Sequence, residues 1–252
     1  VLFRSVGLRG GEDAATADST TSPPHQPTTS LPTVSVAVLG QVKAGKSSVV
    51  NALIGESRAT VDALPVEHTG TTYRLGLRGG GTVELLDTRG YGQDGPNEAE
   101  FQDAVDAAQA ADLILLVVPA RNPARKPDLD LLDRLKVWFA SRPALRLPPV
   151  LVVVNQIDQL TPAMEWQPPY DWRSGTKPKE CNIRDCVEAV RESFGGRIAD
   201  VVPACAPEGV TFGIAEEIAP AIALQFQDAR GTAFPPPDEP PPPPFDVPPP
   251  GR

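Results

Sequence analysis

The sequence predicts an α/β protein in three layers, with helices on both faces of a mostly parallel, six-stranded sheet that contains one antiparallel strand. Short apolar runs alternate with helical patterns along most of the chain, an order typical of parallel sheets covered by helices. Three runs, 34–39, 112–118 and 150–154, are almost entirely apolar, as strands buried on both faces are. A glycine-rich loop follows the first of them, and ligands of such folds bind beyond the carboxyl ends of the strands.

The loop after the first strand fits the phosphate-loop pattern G-x-x-x-x-G-K-[ST] at every fixed position. Its glycines allow a tight turn in which consecutive N–H groups point at an anion. Lys46 is predicted to bring a charge to the β- and γ-phosphates, and Ser47 a hydroxyl to Mg²⁺. Residues 48–54 predict a helix whose positive end faces the phosphates. The residues predicted to surround the phosphates are Gly40, Gln41, Val42, Lys43, Ala44, Gly45, Lys46, Ser47 and Ser48.

The remaining elements follow in order. Residues 55–70, which include Pro65 and have no clear period, predict a long loop. Residues 71–77 and 82–87 predict an antiparallel hairpin around a turn at Gly79–Gly81. The other predicted elements are strands at 112–118, 150–154 and 198–203, helices at 98–110, 128–141, 183–194 and 212–226, and a polar, Pro- and Trp-rich insertion at 159–179. Pro220 is expected to bend the last helix.

The two ends differ from the middle in composition. Residues 1–31 are rich in small and polar residues, and residues 231–252 hold 11 of the 30 prolines. Both ends are predicted to be disordered or polyproline II, which leaves residues 32–230 as one domain. Because the first residue is Val1, we expect a fragment or a processed chain. The proline-rich end is interpreted as a stiff spacer to a missing region or as a ligand for a proline-reading groove.

Charge and cysteine content narrow the function classes. The net charge of −9 argues against broad binding to nucleic acid, and no run approaches the roughly 20 apolar residues of a membrane span. Three cysteines without a framework suggest a reducing compartment. Cys181 and Cys186 lack a second ligand pair, so small buried residues are expected there rather than a zinc site.

Four motifs in order resemble the nucleotide-binding boxes of Era-like and bacterial dynamin-like GTPases, which belong to the translation-factor class. They are the phosphate loop, Thr71-Thr72, Asp87-Thr88-Arg89-Gly90 and Asn155-Gln156-Ile157-Asp158. The resemblance runs from about residue 34 to residue 227. It implies a Ras-like P-loop GTPase domain that binds GTP or GDP with Mg²⁺.

The resemblance implies roles for the phosphate and metal side of the site. Asp87 is expected to hold a water of the Mg²⁺ shell, with Ser47 as direct ligand. The Gly90 N–H is expected at the γ-phosphate, so that the loop after it is released when this phosphate leaves. Thr72 is favoured as a threonine that closes on the metal, with Thr71 and Thr69 as alternatives.

On the base side, Asp158 is expected to accept hydrogen bonds from guanine, which adenine lacks the donors to make. Asn155 is expected to tie the base loop to the phosphate loop. The best match to a fifth box is Cys205-Ala206, whose backbone N–H is expected to meet the guanine oxygen. Gln156 stands where the family usually has Lys, which predicts weaker guanine binding with unchanged specificity.

This chain also departs from the family pattern at the catalytic positions. Tyr91 stands where Ras-like enzymes carry a water-orienting Gln, and Gln93 is a nearby substitute. Lys43 is either a built-in cation that replaces potassium or a solvated surface lysine. Arg89 and Arg74 are either catalytic charges or members of surface ion pairs.

These observations predict a GTP-binding switch with slow Mg²⁺-dependent hydrolysis, with switches near residues 60–74 and 88–97. Self-association or an activating partner is expected to raise its rate. A P-loop ATPase or kinase, a non-hydrolysing scaffold and a ribosome-assembly GTPase with an RNA partner are the alternatives. The protein is expected in the cytoplasm, or peripherally at the inner membrane face through regions absent from this chain.

Overall fold

A computed structural model describes residues 33–56, 62–66, 70–76, 82–92, 94–206 and 210–225. The strands are β1 Thr33–Leu39, β2 Asp62–Val66, β3 Gly70–Gly76, β4 Thr82–Asp87, β5 Leu113–Pro119, β6 Val150–Asn155 and β7 Asp200–Pro203. The helices are α1 Lys46–Glu56, α2 Glu98–Gln109, α3 Lys126–Ala140, α4 Pro178–Phe194 and α5, which is π-helical over Ile214–Ile218 and α-helical over residues 219–225. The predicted tails, Thr69 and Gln93 lie outside the described residues.

The strands form one sheet in the order β2-β3-β4-β1-β5-β6-β7. β3 is antiparallel to both of its neighbours, and every other pair in the order is parallel, so β3 alone runs against the rest. The predicted class, a mostly parallel sheet with one antiparallel strand and helices on both faces, is confirmed.

The prediction of a continuous loop over residues 55–70 was wrong, because β2 forms within it and adds a seventh strand to the six predicted. Pro65 obscured this strand in the sequence. β2 lies at the edge of the sheet, where a residue without an N–H is tolerated because one side of the strand has no ladder to join.

Two apolar layers cover the sheet. Ala37, Leu39 and the alternate residues of β5 and β6 pack with α2, α3 and α4, while Val36 and Val38 pack with α1 and α5. Successive residues of a strand point to opposite faces, so a strand covered on both sides needs apolar residues at every position. This explains the unbroken apolar runs of the central strands.

The helix ends explain the small shifts from the predicted bounds. α2 begins at a capping box, in which Asn97 accepts from the Glu100 N–H and Glu100 accepts from the Asn97 N–H. α4 begins at Pro178, five residues before its predicted start, because proline is well suited to the first helical position. Among the described residues no helix is long and apolar enough to cross a membrane.

Candidate nucleotide-binding site

The phosphate loop joins β1 to α1 and encloses the amino group of Lys46. Lys46 Nζ donates to the carbonyl oxygens of Gly40 at 3.1 Å and Gln41 at 3.3 Å, and the residue is only 7% exposed. Burial lowers the pKa of Lys46, and the nearby charge of Asp87 opposes that shift. Both carbonyl acceptors belong to the loop itself, so the lysine is held at the place where the motif predicts phosphate.

Ser47 and Asp87 meet at the ends of α1 and β4. Ser47 Oγ donates to Asp87 Oδ2 at 2.9 Å, whereas the buried Asp87 Oδ1 has no hydrogen-bond partner among the described residues. Burial raises the pKa of Asp87, and the bond from Ser47 opposes the shift. A hydroxyl beside a carboxylate with an unused oxygen is a donor set that fits a hydrated Mg²⁺.

The structure does not bring Thr72 to this pair. In the β3–β4 ladder Thr72 lies opposite Leu86, while Thr71 lies opposite Asp87. Opposed residues of an antiparallel pair share a face and neighbouring residues alternate, so Thr72 lies on the other face of the sheet from Asp87. The register therefore favours Thr71 over the expected Thr72 as the threonine on the metal side.

Gly90 packs directly on the phosphate loop. A side-chain carbon added there would lie 2.7 Å from Lys46 Nζ and 2.8 Å from the Val42 backbone, distances that only glycine avoids. The next residue continues this contact, since the Val42 N–H donates to the Tyr91 carbonyl at 2.9 Å. The Asp87–Gly90 motif and the phosphate loop thus form one packed unit.

The base motif is tied to the phosphate loop by two side-chain amides. Asn155 Nδ2 donates to the Ala44 carbonyl at 3.0 Å, and Gln156 Nε2 donates to the Lys43 carbonyl at 3.2 Å. Gly45 allows the approach, because a side-chain carbon there would lie 2.3 Å from Asn155 Nδ2. Gln156 and Lys43 both have positive φ, 64° and 66°. Gln156 therefore has a contact of its own in place of the usual lysine.

The side chain of Asp158 is hydrogen-bonded to the predicted fifth motif. Cys205 Sγ donates to Asp158 Oδ1 at 2.9 Å, and burial together with this bond raises the pKa of the thiol far above its usual range. The Cys205 N–H donates to Phe212 O, which leaves Ala206 as the backbone donor of the predicted Cys205-Ala206 box. The side-chain bond places the fifth motif beside the fourth.

Sequence reasoning missed Lys179, which supports the same loop from the start of α4. This lysine is 1% exposed, and its Nζ donates to the carbonyls of Asp158 at 2.7 Å, Leu160 at 2.6 Å and Pro162 at 3.2 Å. Burial lowers its pKa, and the charge of Asp158 opposes the shift. A buried lysine in a polar insertion cannot be told from a solvated one by composition, so only the fold reveals it.

The three charged residues that were considered for catalysis, Arg74, Arg89 and Lys43, are all described by the structure. Arg74 Nε pairs with Glu84 Oε1 at 2.7 Å across the β3–β4 ladder, which is the surface ion pair rather than a charge at the nucleotide site. Arg89 is exposed. Lys43 is exposed, and its side chain makes no hydrogen bond or ion pair within the described part of the chain.

A second group of hydrogen-bonded side chains, which the sequence did not identify, joins the phosphate loop to α3. Asp128 in the first turn of α3 is 0% exposed and accepts from Tyr91 Oη at 2.5 Å and Gln41 Nε2 at 2.9 Å. Burial raises the pKa of Asp128, which the bonds from Tyr91 and Gln41 and the charge of Arg125 oppose. Burial also raises the pKa of Tyr91, and the neighbouring charge of Asp128 adds to that shift.

Comparison with known proteins agrees with this geometry. Residues 35–156 match the family model described as 50S ribosome-binding GTPase. GTPase Era of Nitratidesulfovibrio vulgaris (strain DP4) is 33% identical over 146 residues, covering 57% of this chain and 47% of that protein. GTPase Der of Rippkaea orientalis is 35% identical over 130 residues, covering 45% of this chain and 26% of that protein. The chain thus spans less than half the length of these curated relatives.

Solved structures share the fold. A crystal structure of an Era variant from Aquifex aeolicus bound to GDP and AlF₄⁻ superposes with a TM-score of 0.53 at 19% identity, covering 77% of this chain and 57% of that one. A structure of Era in complex with MgGDPNP and nucleotides 1506–1542 of 16S ribosomal RNA gives the same TM-score. The family match and the curated relatives show that this chain is similar to the Era-like P-loop GTPases of the translation-factor class, and the solved structures show that it shares their fold.

Proposed function

We propose that this protein is a GTP-binding molecular switch that slowly hydrolyses GTP to GDP and phosphate with Mg²⁺. One observation supports it above the others: Asn155 and Gln156 bond to the phosphate loop, so Asp158 and Lys46 belong to one connected frame. A frame that joins a base-reading carboxylate to a phosphate-binding lysine suits a purine nucleoside triphosphate.

Guanine is favoured over adenine by the chemistry of Asp158. Its carboxylate accepts from the N1–H and N2–H₂ groups of guanine, a pair of donors that adenine lacks. Lys179 and Cys205 hold the carboxylate and its loop in place before the base arrives. The Ala206 N–H is the proposed donor to the guanine oxygen.

Hydrolysis of a phosphoanhydride depends mainly on positioning and charge neutralisation. Lys46 would contact the β- and γ-phosphates, the Gly90 N–H would contact the γ-phosphate, and Ser47 and Asp87 would hold Mg²⁺, with Thr71 of β3 on the same side. Mg²⁺, when bound, neutralises charge on the phosphate oxygens. Lys43 adds a built-in cation, the role that potassium has in some related enzymes.

Slow turnover follows from Tyr91, whose hydroxyl is engaged by Asp128 and therefore does not orient water. A partner arginine or self-association across the nucleotide face is proposed to raise the rate. Residues 60–74 and 88–97 are the proposed switches, since loss of the γ-phosphate removes their anchor. We place the protein in the cytoplasm.

An RNA partner is the second candidate. The matching family is described as ribosome-binding, and one Era structure contains 16S ribosomal RNA. The net charge of −9 argues against broad phosphate-backbone binding by this chain. An RNA partner would therefore bind to a local basic patch. Binding of this chain to a 16S RNA fragment at physiological salt would support this candidate.

The decisive experiment measures nucleotide binding and single-turnover hydrolysis by the full chain. GTP and ATP are compared with Mg²⁺ and after chelation, with Lys46→Ala and Asp158→Asn as variants. We expect GTP binding, slow phosphate release that requires Mg²⁺, loss of both in Lys46→Ala, and loss of guanine preference in Asp158→Asn. Binding without phosphate release would indicate the scaffold, and equal binding of ATP would refute the role of Asp158.

A further inference from the structure

Tyr91 directs its side chain away from the phosphate site. It follows Gly90 directly but is only 3% exposed, and its ring packs in the apolar layer with Phe101 and Leu131. Its hydroxyl donates to Asp128 on α3. A tyrosine in this orientation does not act on water, so its place next to Gly90 calls for another explanation.

Asp128 is a carboxylate shielded from solvent, and such a group needs partners for both oxygens. Tyr91 supplies one hydrogen bond and Gln41 of the phosphate loop supplies the other. The first turn of a helix favours a negative charge, and the buried Arg125 adjacent to it compensates that charge. Asp128 thus connects α3 to two nucleotide-contacting segments at once.

Tyr91 is held at both ends. Its side chain is bonded to α3, and its carbonyl accepts from the Val42 N–H of the phosphate loop at 2.9 Å. Gly90 lies between this fixed residue and the end of β4, in contact with Lys46. The hydrogen bond between Tyr91 and Asp128 therefore fixes the residue that directly follows Gly90.

We propose that Tyr91 is a positioning residue, which holds the Gly90 N–H at the γ-phosphate through its hydrogen bond to Asp128 and thereby sets the preference for GTP over GDP. The inference rests on the proposed function, because it concerns the γ-phosphate of GTP.

The test compares the affinities of GDP and of a non-hydrolysable GTP analogue for the full chain with Mg²⁺. Only the analogue carries the phosphate that Gly90 contacts. We expect Tyr91→Phe to weaken binding of the analogue about tenfold, the equivalent of one hydrogen bond, with GDP affinity unchanged. Tyr170→Phe is the matched control, since Tyr170 is also buried and hydrogen-bonded through its hydroxyl but lies outside this network.

Variants of Asp128 test the hydrogen bond between Tyr91 and Asp128 directly. Asp128→Asn keeps an acceptor for Tyr91 and should lose less analogue affinity than Asp128→Ala. In the double variant Tyr91→Phe/Asp128→Ala the losses should be smaller than their sum, because both changes break the same bond. Unfolding curves of each variant identify any that fail to fold.

Equal weakening of GDP and the analogue by Tyr91→Phe would show a merely structural role and overturn the inference, as would no weakening of either. A parent chain that binds neither nucleotide would instead refute the proposed function, and this is seen before any variant is compared. The two failures are therefore distinguishable.

Discussion

Single side chains that bond to backbone carbonyls explain how this candidate site is held together. Gln156 replaces the expected lysine of its motif, yet its amide reaches the Lys43 carbonyl and links the base loop to the phosphate loop. A neutral amide makes this bond without a charge to desolvate. The predicted loss of guanine affinity at this position therefore concerns stacking on the base, and the structural link to the phosphate loop is kept.

Lys179→Met tests whether the buried lysine supports the base loop. Methionine preserves the length of the side chain but leaves the carbonyls of Asp158, Leu160 and Pro162 without this donor. We expect a loss of about 2–3 kcal/mol in the free energy of unfolding, measured by urea denaturation, together with weaker guanine nucleotide binding. Lys177→Met is the control, because Lys177 is exposed and its ion pair with Glu180 should contribute little. Unchanged stability of Lys179→Met would contradict this role.

The built-in cation hypothesis for Lys43 predicts turnover that does not depend on potassium. The parent should hydrolyse GTP equally fast in potassium and in a bulky organic cation, because the ammonium already supplies the charge. Lys43→Ala should lower the rate by about tenfold or more, and potassium should partly restore it. Lys136→Ala removes an exposed lysine of α3 and serves as the control. Strong potassium stimulation of the parent enzyme would refute the hypothesis.

At the level of elements, the ends of helices and strands determine the position of every motif. Strand register brings Asp87 beside Val38 and Asn155 beside Pro119. Polar residues at the ends of different strands therefore meet at the carboxyl ends of the parallel strands. Helix starts matter equally, since α1 begins with Lys46, α3 carries Asp128 in its first turn and α4 carries Lys179 in its first turn.

The capping box of α2 provides a test of how much the start of one helix contributes to the free energy of unfolding. Asn97→Ala removes the acceptor for the Glu100 N–H and should lower the free energy of unfolding by about 1 kcal/mol. Gln102→Ala, on the exposed side of the same helix, removes an i,i+4 bond to Asp106 and should cost less than about 0.5 kcal/mol. Chemical denaturation of both variants measures the difference, and equal losses would argue against the cap.

In the molecule as a whole, the candidate nucleotide site lies at the carboxyl ends of the strands, between the two apolar layers. α1 belongs to one layer and α3 and α4 to the other, while the loops that follow β1, β4, β6 and β7 lie between them. A ligand that contacts these loops joins segments far apart in sequence. Its binding is therefore expected to stabilise the entire domain.

Nucleotide binding should raise the melting temperature by mass action. At about 100 times its Kd, GDP with Mg²⁺ adds about 2.7 kcal/mol, which corresponds to roughly 5–10 °C for a domain of this size. ATP at the same concentration should have no comparable effect, and Lys46→Ala should lose the shift. Thermal denaturation followed by circular dichroism measures it. An equal shift with ATP would contradict the proposed guanine specificity.

The sequence by itself determined the fold class, the six main strands and the four motifs, because these depend on local patterns. Unbroken apolar runs mark strands buried on both faces, and Gly40–Ser47 is readable since its chemistry lies within eight consecutive residues. The edge strand β2 escaped this reasoning because Pro65 weakens a strand pattern that only pairing with β3 makes stable.

Only the tertiary structure decided which polar residues outside the motifs belong to the site. Asp128 and Lys179 look like solvated surface charges in the sequence, and their burial results from packing of α3 and α4 against distant loops. The resemblance favoured Thr72 over Thr71, and only the β3–β4 register shows that Thr71 is the one on the face of Asp87. Burial and register depend on contacts between distant segments, which no local pattern contains, and this is the physical reason why the sequence could not assign these residues correctly.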